Sequence, residues 1–153
     1  MKITLLLVGK TETEYLINGI KIYQDRLKHY ADFSVIEIPA LKNTNNLSHK
    51  EIKRKEGELI LKKITDKDFI ILLDDKGKQY SSPEFAAFLD KTQRPITFII
   101  GGAFGFDDAI YQRANGLLSL SKMTFTHQMI RLLFVEQLYR AMTILNNEAY
   151  HHE

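Results

Sequence analysis

The sequence predicts a single α/β domain over residues 1–153, with a mostly parallel sheet flanked by helices. Two observations support this fold class. Five short apolar runs of strand length recur along the chain, and continuous apolar runs are typical of strands buried on both faces. Segments with helical spacing of apolar residues separate these runs, and such alternation predicts parallel strands joined by helices.

Composition limits what the protein can be. Hydrophobic residues make up 44% and charged residues 26%, which suits a packed core. The absence of cysteine excludes disulfides, thiolate zinc sites and cysteine nucleophiles. The same absence is compatible with the cytoplasm, where we expect the protein. The apolar run after Lys2 is too short for a signal peptide or a membrane span, so we expect no membrane segment. A net charge of +2 restricts any nucleic-acid site to a local patch.

The first half of the chain alternates strand and helix. Residues 3–8 predict a strand, residues 12–30 a helix and residues 33–38 a second strand. After a polar loop, Ser48 and Glu51 form an S-x-x-E capping box that predicts a charged helix to about residue 63.

The second half repeats this pattern with shorter elements. Residues 69–73 predict the third strand, with a turn over residues 74–78. Ser82-Pro83 predicts an N-cap with proline at the first helical position, and a helix to about residue 90. Residues 96–100 predict the fourth strand. The glycine-rich turn 101–105, a helix capped by Asp107 that runs to about residue 115, and a fifth strand over 117–120 are then expected.

The final helix, expected from about His127 to about Asn146, is apolar on most sides. A helix of this kind needs cover on two sides, and we expect one cover to be the sheet and the other a second subunit. Its few charges, Arg131, Glu136 and Arg140, must be paired or functional, because unpaired buried charge is costly.

Proteins with parallel sheets bind ligands outside the carboxyl ends of the strands. The turns 73–77, 101–105 and 120–125, which follow the third, fourth and fifth strands, are therefore the predicted ligand site. Gly101-Gly102-Ala103-Phe104-Gly105 is not G-x-G-x-x-G, so it is either a tight turn or a loop that a ligand approaches closely. Gly9-Lys10-Thr11 lacks the first glycine of a P-loop and is typical of an ordinary strand-to-helix turn. No metal-binding histidine pair or serine-nucleophile motif occurs, so we expect no metal.

A basic segment lies between residues 42 and 63. It holds seven Lys or Arg and three Glu, a net +4. A solvated helix face is the common explanation. A surface that binds a phosphate backbone is the alternative.

Several motifs occur together in an order that is specific to one family. They are Phe98–Gly105, Leu118–His127, Glu136–Ala141 and the terminal Asn147–His151. In these the chain closely resembles the ribosomal RNA large subunit methyltransferase H family, in the SPOUT superfamily of knotted methyltransferases. The resemblance covers essentially the full length, including Met1–Thr4 and Lys55-Glu56-Gly57.

The resemblance implies a C-terminal trefoil knot, a homodimer, and S-adenosyl-L-methionine bound in the knot. It also implies a substrate, the N3 position of a pseudouridine in a stem-loop of 23S rRNA in the assembled ribosome. The cofactor-binding residues it implies are Leu73, Gly101, Gly102, Gly105, Leu120, Ser121, Lys122, Met123, Thr124 and Phe125.

The catalytic residues that the resemblance suggests lie in the last helix and the tail. Arg140 could stabilise charge on the carbonyl oxygens of the base, and His127 or His151 could take the N3 proton. Tyr139 or Tyr150 could stack on the base, and the tail is expected to reach the site of a partner subunit. Relatives commonly have proline where this chain has Thr126, whose hydroxyl can instead cap the helix.

Other functions stay open on the sequence. A SPOUT enzyme acting on tRNA would differ in its RNA substrate. A non-catalytic RNA-binding or ribosome-binding module of the same fold would bind RNA without methyl transfer. A plain nucleotide-binding α/β protein would prefer nucleotides to S-adenosyl-L-methionine.

Overall fold

The computed structural model describes residues 1–152 and confirms the predicted α/β class. Within these residues a single sheet of five strands is flanked by five α-helices and one short 3₁₀ turn, Thr44–Asn46. The elements in chain order are β1 (Lys2–Val8), α1 (Glu14–Leu27), β2 (Asp32–Ile38), α2 (His49–Leu61), β3 (Phe69–Gln79), α3 (Ser82–Lys91), β4 (Ile96–Ile100), α4 (Asp108–Arg113), β5 (Gly116–Ser119) and α5 (Met129–Leu145).

All strand pairs are parallel, and the strand order is β2-β1-β4-β3-β5. The chain leaves β1 toward β2 on one side and leaves β4 toward β5 on the other. Connections therefore diverge between the adjacent strands β1 and β4, and such a switch point opens a crevice at the carboxyl ends of the strands. Gly9 and Gly101 follow these two strands directly.

Two apolar layers hold the sheet. On one face β1, β3 and β4 pack with α1, α3 and α5 around Phe85, Phe98 and Phe134. On the other face the same strands pack with α2 and α4 around Ile60 and Ile110. Strands buried on both faces explain the uninterrupted apolar runs of β1 and β4.

The predicted turn over residues 74–78 is wrong, because β3 continues to Gln79. Leu73 and Lys78 both pair with Leu118 of β5, so the residues between them form a bulge. A Cβ on Gly77 would lie 2.6 Å from the backbone of Leu118, so glycine is needed for this close approach. The polar composition that resembled a turn instead marks a half-exposed, bulged strand.

The helix caps differ in detail from the predictions. Ser81, and not Ser82, is the N-cap of α3: its hydroxyl accepts from the Glu84 N–H, and the Glu84 carboxylate accepts from the Ser81 N–H. Ser48 does cap α2, but its hydroxyl donates to the Glu51 carboxylate, so the reciprocal backbone bond of the box is absent there. Asp107 is the N-cap of α4 without a side-chain capping bond.

Every residue of α5 is buried or half-buried. Its buried side lies on the sheet, and α1 and α3 pack along its flanks. Part of the cover that the sequence assigned to a second subunit is therefore supplied by helices of the same chain. The helix begins at Met129, two residues later than predicted, and its N-cap is Gln128, so the prediction of Thr126 as the N-cap is wrong. The Thr126 hydroxyl still accepts from the Met129 N–H at 3.0 Å, in the manner of a capping bond.

Candidate functional site

A cavity of about 400 Å³ lies at the carboxyl ends of β4 and β5, beside the β3 bulge. Its walls come from three segments, within residues 73–75, 100–106 and 118–127, and from Ile130; Phe104 and Lys122 do not line it. This volume is typical of small-molecule sites. Every predicted cofactor residue except Lys122 lines this cavity, which we call the main pocket.

The pocket walls are shaped by short local contacts. Gly101 lies against the Phe106 ring, which a Cβ would approach to 3.0 Å. Gly105 has a φ of +85°, a left-handed conformation that favours glycine. After β5, the Ser119 hydroxyl donates to the Ser121 carbonyl at 2.8 Å, and the Met123 N–H donates to the Ser121 hydroxyl at 2.9 Å. These bonds stabilise the local conformation of the loop that follows β5.

Asp74, which belongs to the candidate turn 73–77 but was not among the predicted site residues, lines the main pocket and accepts a short hydrogen bond from the Tyr111 hydroxyl. Burial and this bond raise the pKa of Tyr111 above its usual range. Burial alone would raise the pKa of the Asp74 carboxyl, but the bonds from Tyr111 and the Lys76 N–H lower it overall. The pocket therefore has a fixed negative charge in its wall, suited to accepting hydrogen bonds from ligand hydroxyls.

His127 stands at the rim between β5 and α5 and lines the main pocket. Burial, together with the positive charge of Arg131, lowers the pKa of His127. The imidazole is therefore neutral at neutral pH and can accept a proton. This is the only predicted catalytic residue, within the part of the chain described, that lines the main pocket.

Arg131 is fully buried and makes four hydrogen bonds to the chain itself. Its guanidinium donates to the carbonyls of Val8 at 2.8 Å and Gly9 at 3.0 Å, and to the Thr11 hydroxyl at 3.0 Å. Its Nε donates to the His127 carbonyl at 3.2 Å. Among residues 1–152 the hydrogen-bond partners of Arg131 are thus three carbonyls and one hydroxyl, with no carboxylate, and Arg131 joins the end of β1 to the first turn of α5.

The other predicted catalytic residues form a separate cluster on α5 and the tail. Glu136 Oε1 accepts from Arg140 at 2.6 Å and from the Tyr150 hydroxyl at 2.9 Å. Arg140 also lies over the Tyr150 ring at 4.8 Å and contacts His151 Nδ1 at 3.3 Å. The Tyr139 ring packs edge-on against Tyr150 with centroids 4.8 Å apart. We call these five residues the tail cluster; none of them lines the main pocket of its own chain.

The family model described as "Predicted SPOUT methyltransferase" matches residues 1–151. The chain belongs to the SPOUT methyltransferase family.

Full-length relatives agree with this membership. The chain is 54% identical to "Ribosomal RNA large subunit methyltransferase H" of Phocaeicola vulgatus, over 100% of both chains. It is 51% identical to the protein of that name in Parabacteroides distasonis, again over 100% of both. The family resemblance read from the sequence is confirmed.

Solved structures agree on the SPOUT fold. A probable methylase family protein from Haemophilus influenzae matches with a TM-score of 0.59, at 11% identity, over 99% of this chain and 70% of its own. The SpoU methyltransferase AviRb from Streptomyces viridochromogenes, solved in complex with AdoMet, matches with a TM-score of 0.50, at 12% identity, over 96% of this chain and 61% of its own. At these identities the likeness concerns the fold alone.

Two further observations concern metal binding and membrane insertion. Among residues 1–152 there is no group of three or more His, Asp or Glu side chains placed to hold a metal ion. The same residues contain no helix long and apolar enough to cross a membrane.

Proposed function

We propose that this SPOUT methyltransferase uses S-adenosyl-L-methionine to methylate N3 of a pseudouridine in a 23S rRNA stem-loop of the ribosome. The observation that carries the proposal is the match to relatives named ribosomal RNA large subunit methyltransferase H, at 51–54% identity over 100% of both chains. The main pocket supports it, because all but one of the cofactor residues implied by the resemblance converge there.

The residues of the main pocket fit S-adenosyl-L-methionine. Apolar side chains such as Leu73, Leu118 and Leu120 offer contacts for an adenine ring, and Asp74 can accept from ribose hydroxyls. Open space at Gly105, where a Cβ would meet nothing within 4 Å, leaves room for the ligand. When bound, this cofactor supplies a methyl group that its sulfonium has already activated, so the protein must mainly align the acceptor and exclude water.

The acceptor nitrogen carries a proton that must leave before it can take a methyl group. His127, held neutral at the rim, is one group able to accept that proton. A guanidinium such as Arg140 can stabilise negative charge that develops on the neighbouring carbonyl oxygens. Tyr139 and Tyr150 can stack on a base that is unpaired or flipped out of its stem-loop.

The tail cluster lies away from the main pocket of its own chain, and we therefore propose that it acts in the site of a second copy. A homodimer of this kind would also cover half-buried apolar side chains of α5 such as Leu133. The C-terminal trefoil knot, which the family resemblance implies, and a cytoplasmic location, which the absence of cysteine favours, belong to the same proposal.

Calorimetric titration of S-adenosyl-L-methionine tests the pocket, with ATP and NAD as competing ligands. We expect selective binding of S-adenosyl-L-methionine. Leu120→Trp, which fills the main pocket, should weaken it more than about tenfold, since a clash of this size exceeds ~1.4 kcal/mol. Leu61→Trp is the matched control, because this exposed leucine ends α2 outside the pocket. Equal affinity in both variants would place the cofactor elsewhere.

A further inference from the structure

The side chains that line the main pocket carry negative charge. Asp74 and Asp75, which are consecutive in β3, both line it, whereas no Lys or Arg in the described part of the chain does. His127 lines it too, but burial and then the charge of Arg131 lower the pKa of His127, so the imidazole is neutral at neutral pH. A ligand in the pocket therefore meets two carboxylates and, within the described residues, no positive side chain.

Asp74 holds its charge in a fixed place. Its carboxylate accepts a hydrogen bond from the Tyr111 hydroxyl and another from the Lys76 N–H at 2.9 Å. Burial alone would raise the pKa of Asp74, but these bonds lower it overall, so the group stays ionised at neutral pH. Asp75 stands beside it and is exposed, so solvent screens its charge more strongly. Of the two carboxylates, Asp74 should therefore act more strongly on a ligand.

Aromatic rings in the same lining add to its preference for cations. Phe106 and Phe125 both line the main pocket. The Phe106 ring packs edge-on against the Tyr111 ring with centroids 5.9 Å apart, so one tyrosine contacts both this ring and the Asp74 carboxylate. The face of an aromatic ring attracts a cation, and such rings recur in sites for ligands with a permanent positive charge. The pocket lining therefore suits a positively charged ligand better than a neutral one of the same shape.

Two cations act on this wall without lining the pocket. Lys76 is exposed to solvent, which screens its charge. Arg131 is buried and bonded to the His127 carbonyl. Burial lowers the pKa of Arg131, and the charges of Glu37 and Glu12 oppose that shift. Carboxylates outside the pocket therefore offset part of the positive field of Arg131, while those of the pocket wall have no Lys or Arg beside them in the described lining.

The methyl donor and its product differ by one charge. S-adenosyl-L-methionine carries a sulfonium, whereas S-adenosyl-L-homocysteine, which is left after transfer, carries an uncharged thioether. In the transfer the carbon–sulfur bond breaks and its electron pair stays on sulfur, while the acceptor releases its N–H proton and gains an N–CH₃ bond. The adenosine and amino-acid parts of the two molecules are the same. A wall of carboxylates therefore attracts the donor more strongly than the product.

We propose that Asp74 and Asp75 make the main pocket selective for the charged methyl donor over its uncharged product. This inference rests on the proposed function and deepens it. It gives Asp74 a role beyond accepting from ribose hydroxyls, because attraction to the sulfonium is present before the transfer and is lost with it. Product release is therefore favoured after each turnover, and S-adenosyl-L-homocysteine should inhibit the enzyme only weakly.

Calorimetric titration of the wild-type protein with each molecule measures this selectivity as the ratio of the two dissociation constants. We expect S-adenosyl-L-homocysteine to bind at least about tenfold more weakly than S-adenosyl-L-methionine, a difference of ~1.4 kcal/mol. Coulomb attraction between a sulfonium and a half-buried carboxylate in one pocket is of that order. Inhibition of methyl transfer by the product, expressed as Ki divided by the KM of the donor, gives a second measure of the same preference.

Asp74→Asn and Asp75→Asn each remove one negative charge while keeping the size of the side chain. We expect both variants to lower the ratio, Asp74→Asn by about threefold or more and Asp75→Asn by less. Because both ligands carry the same ribose, lost ribose contacts weaken both equally and leave the ratio unchanged. Asp75 is exposed, so its variant keeps the test valid even if Asp74→Asn fails to fold.

Asp90→Asn is the matched control. This exposed carboxylate of α3 lies outside the main pocket, so the ratio in this variant should equal that of the wild type.

The outcomes separate this inference from the function on which it rests. A wild-type protein that binds both molecules with equal affinity, or the product more tightly, overturns the selectivity and leaves the proposed function in place. A preference that persists unchanged in both aspartate variants also overturns it, because the preference would then come from contacts with the methyl group. A wild-type protein that binds neither molecule overturns the proposed cofactor pocket and this inference together.

Discussion

Arg131→Met should destabilise the protein, because Arg131 joins the end of β1 to the start of α5. The fully buried guanidinium donates hydrogen bonds to the carbonyls of Val8, Gly9 and His127. Methionine fills much of the same volume but donates no hydrogen bond. The three carbonyl groups would therefore lose a charged donor inside the fold.

The magnitude follows from those three groups. A buried polar group left without its partner costs about 1–3 kcal/mol. Relief from burying a charge acts in the opposite direction, so we take the low end for each carbonyl and expect a loss of about 3 kcal/mol in the free energy of unfolding. For a chain of this size each 1 kcal/mol lowers Tm by about 2–4 °C, which gives a fall of roughly 6–12 °C.

Urea denaturation followed by circular dichroism measures this loss, and calorimetry measures Tm. Arg54→Met is the control, since Arg54 is an exposed helix cation whose ion pair should contribute under about 1 kcal/mol. A change of less than about 1 kcal/mol in Arg131→Met would refute the view that this guanidinium holds β1 to α5.

Three further predictions concern single sites. Gly77→Ala should cost several kcal/mol by urea denaturation, as the new Cβ would meet the Leu118 backbone at 2.6 Å; near-native stability would contradict the bulge geometry. The pKa of His127, followed by NMR, should lie below 6.5 because of burial and the nearby Arg131 guanidinium. The contribution of the neutral imidazole to stability is therefore present above pH 6.5 and is lost as the pH falls through the lowered pKa. A titration midpoint above 6.5 would contradict this prediction. Arg140→Ala, and separately truncation before Tyr150, should lower turnover strongly while cofactor affinity by calorimetry stays within about twofold; unchanged turnover in either would remove the tail cluster from the reaction.

The sequence predicted the strands well because their apolar runs report burial on both faces. Residues 96–100 were predicted and found as β4 without a shift. The bulge in β3 could not be read in this way, since Asp, Lys and Gly occur in turns and in exposed strand segments alike. Only the pairing of Leu73 and Lys78 with the same residue of β5 distinguishes the two.

The candidate site was located mainly by the rule for parallel sheets and by the family motifs. Asp74 lay in the candidate turn 73–77 but was assigned no role, because a charged residue in sequence gives no sign of its burial or of its neighbours. Arg131 was expected to be paired or functional. Two of its partners are the backbone carbonyls at the end of β1, more than 100 residues away in sequence, and no local sequence pattern reveals such a pairing. The separation of the tail cluster from the main pocket likewise depends on tertiary structure alone.

Methyl transfer to ribosomes tests the central claim most directly. Ribosomes prepared from cells that lack this protein would be incubated with the purified enzyme and S-adenosyl-L-methionine carrying a labelled methyl group, with bulk tRNA as a parallel substrate. We predict about one methyl group per 23S rRNA, mapped by mass spectrometry to N3 of a single pseudouridine, and none on tRNA. Label on tRNA alone, or no label on either RNA although the protein binds the cofactor, would contradict the account.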